Sequence, residues 1–184
     1  MRFNSDGSCT KYSAAAPVTL SQVILKSLSS LAQVNAYDPP NDPACNTAIF
    51  DMGSFSSYYD PASEQVFISV TLPDKSYAGW GWGSSMTNTE MIIFSADGQQ
   101  STAKTYYSKG EQDPELEDSL QSCYKTTKQV DADAGTVTIT ASRPLDCGVK
   151  DSYVIQPDTQ LNLISAWDTT SPEMKYHGDN IKTF

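Results

Sequence analysis

The chain has 184 residues, with 12 Lys and Arg against 22 Asp and Glu, giving a formal net charge of −10 and a pI near 4.3. That length suits one domain with a sizeable core, and the acidity excludes nucleic acid and anionic membrane surfaces as partners. Charged residues make up 18% against 39% hydrophobic and 10% aromatic, the balance of a β-dominated globular protein, and no apolar run is long enough to span a bilayer.

In chain order, the first 46 residues read as an N-terminal extension. Leu20, Val23, Ile24, Ser27, Leu28 and Leu31 fall at helical spacing, with Thr19 or Ser21 as a cap. The β-branched residues and serines of the same stretch also permit an extended reading. A break rich in proline follows at Pro39, Pro40 and Pro43. From residue 47 to 184 the text changes to short strands between turn residues, so a single domain is expected there. The alternation of Val66, Ile68, Val70 and Leu72 predicts a half-buried strand over Gln65 to Leu72, and Val137, Ile139 and Ala141 predict another over Thr136 to Ala141. Glu90 to Ser95 reads as a buried strand with Thr102 to Tyr107 as its hairpin partner. Tyr153 to Ile155 and Leu161 to Trp167 complete the set. Seven or eight such runs without a long helix predict an all-β protein, an immunoglobulin-like antiparallel β-sandwich.

Cys9, Cys45, Cys123 and Cys147 show no CxxC pairing, so disulfides explain them better than a zinc or iron–sulfur site. Four cysteines allow three connectivities; the local one, Cys9 with Cys45 and Cys123 with Cys147, closes moderate loops and leaves no thiol over. An acidic, hydroxyl-rich, disulfide-bonded chain is expected to be secreted or lumenal, with a signal peptide removed.

The single histidine, His177, limits catalysis: no GxSxG elbow, no multi-imidazole metal site and no DxDxDG calcium loop is present. Two stretches stand out. In Tyr77-Ala-Gly79-Trp80-Gly81-Trp82-Gly83 glycines alternate with tryptophans at strand period, clearing one face while the indoles occupy the other. Further on, Tyr176-His177-Gly178 carries the imidazole in a polar loop.

These stretches, with Ser84-Ser85-Met86-Thr87-Asn88-Thr89-Glu90, the strand end Ser142-Arg143-Pro144-Leu145-Asp146 and the closing Leu163-Ile-Ser-Ala-Trp167, resemble in order the DOMON domain family over roughly residues 47 to 180. More closely the chain is similar to its haem-binding cytochrome type, as in the cytochrome domain of cellobiose dehydrogenase. The resemblance implies a sandwich that holds one b-type haem iron between a Met and a His, here Met86 and His177, with Trp82, Phe94 and Tyr176 as pocket residues. Met52 is the competing thioether. A six-coordinate Met/His iron suits electron transfer rather than catalysis. With no flavin dehydrogenase domain or cytochrome b561 helices in this sequence, the electron donor or acceptor is expected to be a separate protein or small molecule, or to belong to a part of the protein outside this sequence. Two other classes stay open. One is a haem-free carbohydrate-binding sandwich stacking sugars on Trp80 and Trp82; the other is a structural subunit that self-associates through strand edges.

Overall fold

The computed structural model describes residues 1–10, 46–50 and 53–183. The helix read between Leu20 and Leu31, Met52 and Cys45 lie outside the described residues. Thirteen strands and one short helix are described: β1 (Arg2–Phe3), β2 (Cys9–Thr10), β3 (Asn46–Phe50), β4 (Gly53–Asp60), β5 (Gln65–Pro73), β6 (Ser76–Trp82), β7 (Thr89–Ala96), β8 (Thr102–Ser108), β9 (Glu115–Leu116), α1 (Asp118–Gln121), β10 (Lys125–Asp131), β11 (Thr136–Pro144), β12 (Leu163–Asp168) and β13 (Ile181–Thr183). They form a five-stranded sheet in the order β10-β11-β5-β4-β3, a six-stranded sheet in the order β13-β12-β6-β7-β8-β9, and a β1-β2 ribbon. Every pairing is antiparallel, so the protein is the antiparallel β-sandwich that the spacing of its strands predicts.

The period-2 patterns decide which side chains meet between the sheets. Val66, Ile68, Val70 and Leu72 of β5 and Val137, Ile139 and Ala141 of β11 face Ala78, Trp80 and Trp82 of β6 and Ile92, Phe94 and Ala96 of β7 in one buried cluster. Phe55 of β4 bridges the layers, with its ring centroid 4.9 Å from that of Trp80 and 5.9 Å from that of Phe94. Each such aliphatic or aromatic side chain contributes about 1.5–3 kcal/mol on burial. Residues 1–10 pack on the same core: Phe3 is buried, and the Phe3 and Met1 carbonyls accept from the Asp158 and Leu161 amides at 2.7 Å.

Tyr153 to Ile155 departs from the sequence reading, because it forms no strand. Its backbone polar groups are taken by side chains. The Tyr153 amide donates to Glu90 Oε2 at 2.5 Å, its carbonyl accepts from Arg143 Nη2 at 2.6 Å, and only the Ile155 amide finds a backbone carbonyl, that of Leu145. The two side chains form an ion pair, Arg143 Nη1 to Glu90 Oε1 at 2.5 Å, with both fully buried. Glu90 Oε1 also accepts from the Tyr124 hydroxyl at 2.5 Å, and that hydroxyl accepts from Trp82 Nε1 at 3.0 Å. The guanidinium lies over the Trp82 and Tyr124 rings at 5.7 and 5.6 Å, close enough for cation–π attraction. The disulfide Cys123–Cys147, Cα atoms 5.6 Å apart, clips the residue before Tyr124 to the segment that follows Arg143. Cys9 is disulfide-bonded as well, and its partner lies outside the described residues.

Removing one member of a buried pair strands the other, so Arg143→Met is expected to cost about 3–5 kcal/mol. Adding Glu90→Gln to that background recovers part of the loss, and urea unfolding midpoints of the two single variants and the double variant measure the coupling. Replacing Cys123 and Cys147 together with Ser is expected to lower stability by roughly 2–4 kcal/mol, read in the same titration.

Candidate functional site

The alternation along β6 gives the six-stranded sheet two unlike faces. Ala78, Trp80 and Trp82 point into the sandwich, and Trp80 and Trp82 are 1% and 2% exposed. Tyr77, Gly79 and Gly81 therefore face outward. Their outward neighbours follow from the register: Ala166 and Ile164 of β12 beside Gly79 and Gly81, Ile93 and Met91 of β7 on the other flank. A Cβ at Gly81 would stand 2.9 Å from Ile164 Cγ1, whereas one at Gly79 would meet nothing closer than 3.7 Å. The outer face thus has an apolar floor, lowest along β6, where two glycines stand in a row.

Two loops are tied to this face from opposite ends. Residues 83–88 join β6 to β7 and carry Met86, which is half-buried. The Thr89 hydroxyl, beside Gly81 and Gly83 on the outer face, directs its single proton mainly to the Ser85 carbonyl at 2.7 Å and shares it with the Thr87 carbonyl at 3.2 Å, so the chain on both sides of Met86 is held there. Residues 169–180 join β12 to β13 and carry His177, also half-buried. That loop is fixed by Tyr77 Oη donating to the Lys175 carbonyl and Ser95 Oγ to the Pro172 carbonyl, both at 2.6 Å. Burial, partly offset by the Lys175 carbonyl, raises the Tyr77 phenol above its ordinary range and keeps it a donor. At the loop's start, Asp168 accepts from the Thr170 hydroxyl and amide at 2.7 Å and pairs with Lys175 at 3.2 Å. These hydrogen bonds, the Thr170 hydroxyl first, hold its carboxyl below the usual range.

His177 Nδ1 lies 3.1 Å from the Gly178 carbonyl oxygen. A carbonyl only accepts, so this contact requires the proton on Nδ1 and leaves the Nε2 lone pair available to a metal. The Tyr176 ring, 85% exposed, stacks on the imidazole at 5.7 Å and 25°. Trp82 and Phe94, read from the sequence as pocket residues, lie on the core side of the sheet. The structure brings the Met86 and His177 loops to one face, sets Tyr176 against His177, and separates Trp82 and Phe94 from them by the sheet.

The donor set fits a haem. One thioether and one imidazole nitrogen are ligands that such an iron would take, and the strand face to which both loops are tied is apolar, with Gly79 and Gly81 presenting no side chain there. Among the described residues no group of three or more His, Cys, Asp or Glu could hold a bare ion. Buried as they are, Trp80 and Trp82 offer no stacking platform for a sugar.

The Glu90–Arg143–Tyr124 cluster directly beneath the Met86 loop escaped the sequence reading. Its signal is parity, since Glu90 shares the inward register of Ile92 and Phe94, and Arg143 that of Ile139 and Ala141. Burial, and then the Glu90 carboxylate, push the Tyr124 phenol far above its ordinary range, so it remains a hydroxyl at any working pH.

No curated protein matches the sequence. Among solved structures the chain is similar to the cytochrome domain of Myriococcum thermophilum cellobiose dehydrogenase, with TM-score 0.52 and 9% identity over 72% of this chain and 73% of that one. It is also similar to the cytochrome b domain of pyranose dehydrogenase from Coprinopsis cinerea, with TM-score 0.54 and 12% identity over 72% and 74%. At such identities the likeness is one of fold. The family model of the DOMON domain matches residues 55–168, from β4 through the last residue of β12, and the chain belongs to the DOMON domain family.

Proposed function

We propose that this chain is a b-type cytochrome domain that passes single electrons through one haem held by Met86 and His177. The observation that carries the reading is that the only imidazole in the sequence and a thioether sit in two loops tied to one glycine-floored face. The cytochrome domains that share the fold support it. When bound, a haem ligated in this way exchanges one electron at an iron with no vacant position.

The chain's own residues supply the rest. The Met86 sulfur is a soft donor that favours ferrous iron and raises the potential relative to a second imidazole. The Nδ1 contact of His177 with the Gly178 carbonyl fixes the ring orientation, as second-shell partners of ligating histidines do. Tyr176 covers one side of that ring, while Trp82 and Phe94 support the floor from the core side. Met86 and His177 would together hold such a haem, and the chemistry it would supply there is one-electron transfer rather than oxygen activation.

Its partner in this reading is a separate redox protein or a small-molecule donor or acceptor. A surface of net charge −10 favours a basic docking partner, in an encounter that weakens as salt rises. Secretion agrees with the Cys123–Cys147 disulfide, and no helix among the described residues is long and apolar enough to cross a membrane.

An absorption spectrum of the purified protein before and after dithionite tests the reading directly. Sharp reduced α and β bands are expected, with His177→Ala abolishing the low-spin species and Met86→Ala converting it to a five-coordinate one. A protein that stays colourless after incubation with hemin overturns the haem assignment.

A further inference from the structure

The Met86 loop has two feet, Trp82 and Glu90, the residues that flank the turn 83–89. Both send their side chains inward, away from the loop, and both end on the same atom. Trp82 Nε1 donates to Tyr124 Oη at 3.0 Å, and Tyr124 Oη donates to Glu90 Oε1 at 2.5 Å. The phenol is thus a one-atom bridge between the two strands from which the loop springs. On the opposite side of the sheet, Thr89 holds the loop itself through the Ser85 and Thr87 carbonyls, and a Cβ at Gly83 would lie 2.8 Å from its hydroxyl, so the neck is closed there too. Arg143 fixes Glu90 from below, and the Cys123–Cys147 disulfide fixes the chain at Tyr124.

From this geometry we infer that Tyr124 is a positioning residue for Met86, its hydroxyl holding the loop at the height and angle that a haem iron requires. The inference rests on the reading of Met86 as an axial ligand. The bridge is built for rigidity rather than titration. The hydroxyl uses its one proton on Glu90 and a lone pair on Trp82, and its neighbours are fully buried. A ligating thioether is a weak donor that tolerates little misplacement, because a loose supporting shell forfeits the geometry on which the bond depends.

Tyr124→Phe removes the bridging oxygen and keeps the ring under the Arg143 guanidinium. In the haem-free variant, amides 83–89 are expected to exchange with deuterium about tenfold faster, while the β11 amides change less. In the haem-loaded variant, the reduced spectrum is expected to shift from six-coordinate low-spin toward five-coordinate high-spin, with added imidazole restoring the low-spin bands. Thr105→Val, which deletes a buried hydroxyl bonded to the Glu117 carbonyl in the same sheet, is the control and should leave the loop exchange and the spectrum alone. Trp82→Phe cuts one half of the bridge and serves if Tyr124→Phe does not fold. Wild-type exchange at 83–89, or faster exchange with an unchanged reduced spectrum, would overturn the positioning role. Wild-type protein that takes up no haem instead defeats the cytochrome reading, and the exchange comparison still judges the bridge.

Discussion

The buried ion pair of Glu90 and Arg143 organises one end of this sandwich. Two charges with fully buried side chains carry a large desolvation cost, and they are tolerable only when every remaining lone pair and proton is met. Here the partners are found in three segments. Tyr124 and the Tyr153 amide complete Glu90, and the Tyr153 and Pro144 carbonyls complete Arg143. The pair therefore dictates the path of 153–155, which gives up strand pairing to serve it, and locates Tyr124 at the end of α1. A hydrophobic substitute of the same volume would fill the space without specifying any of these positions.

That constraint bears on the outer face because a sheet is one residue thick. Whatever holds Trp82 and Glu90 from inside fixes the outward-facing positions next to them, Gly81, Gly83 and Thr89. The alternation of Gly with Trp in β6 divides labour between the faces. The indoles fill the core against Phe55 and Arg143, while the missing side chains leave a floor on which Ile164 and Thr89 close tightly at Gly81 and Ala166 and Ile93 stand at ordinary contact distance at Gly79. Met91 and Ile93 on that face are 7% and 8% exposed and lie outside the core cluster, so the chain itself already covers much of this side of the sheet.

The sandwich was legible wherever one face of a strand is apolar. β5 and β11 announce themselves by period, β7 by its apolar Met91-Ile-Ile-Phe94 run and β8 as the partner across the turn that follows it, and the observed limits of these and of β12 fall within a few residues of the reading. β10 does not, because Lys125-Thr-Thr-Lys-Gln-Val-Asp131 is an edge strand solvated over nearly all its length, so hydrophobicity carries no period along it and β propensity alone is a weak guide. Tyr153 to Ile155 failed in the opposite way. Its apolar, aromatic text reads as a strand, yet side chains distant in sequence claim its backbone. The tryptophan and glycine faces were readable from β6 alone; the Tyr124 bridge was not, since it joins residues 34 and 42 positions apart that no local pattern relates.

The two proposed ligands differ in how they are held, and the difference has consequences for the chemistry. Met86 sits in a short turn closed at its neck by Thr89 and clamped beneath by the Tyr124 bridge, so its position is inherited from the core. His177 sits in a twelve-residue connection secured by two hydrogen bonds to outward side chains, Tyr77 and Ser95, and by the Asp168 turn at its start. Rigidity thus lies on the side of the weaker donor. Electron transfer through a six-coordinate iron favours a site whose geometry changes little between oxidation states. In the proposed reading the sulfur would be held from the core and the imidazole by the Tyr77 and Ser95 hydrogen bonds on the same face, so both ligands would keep their places through the redox cycle.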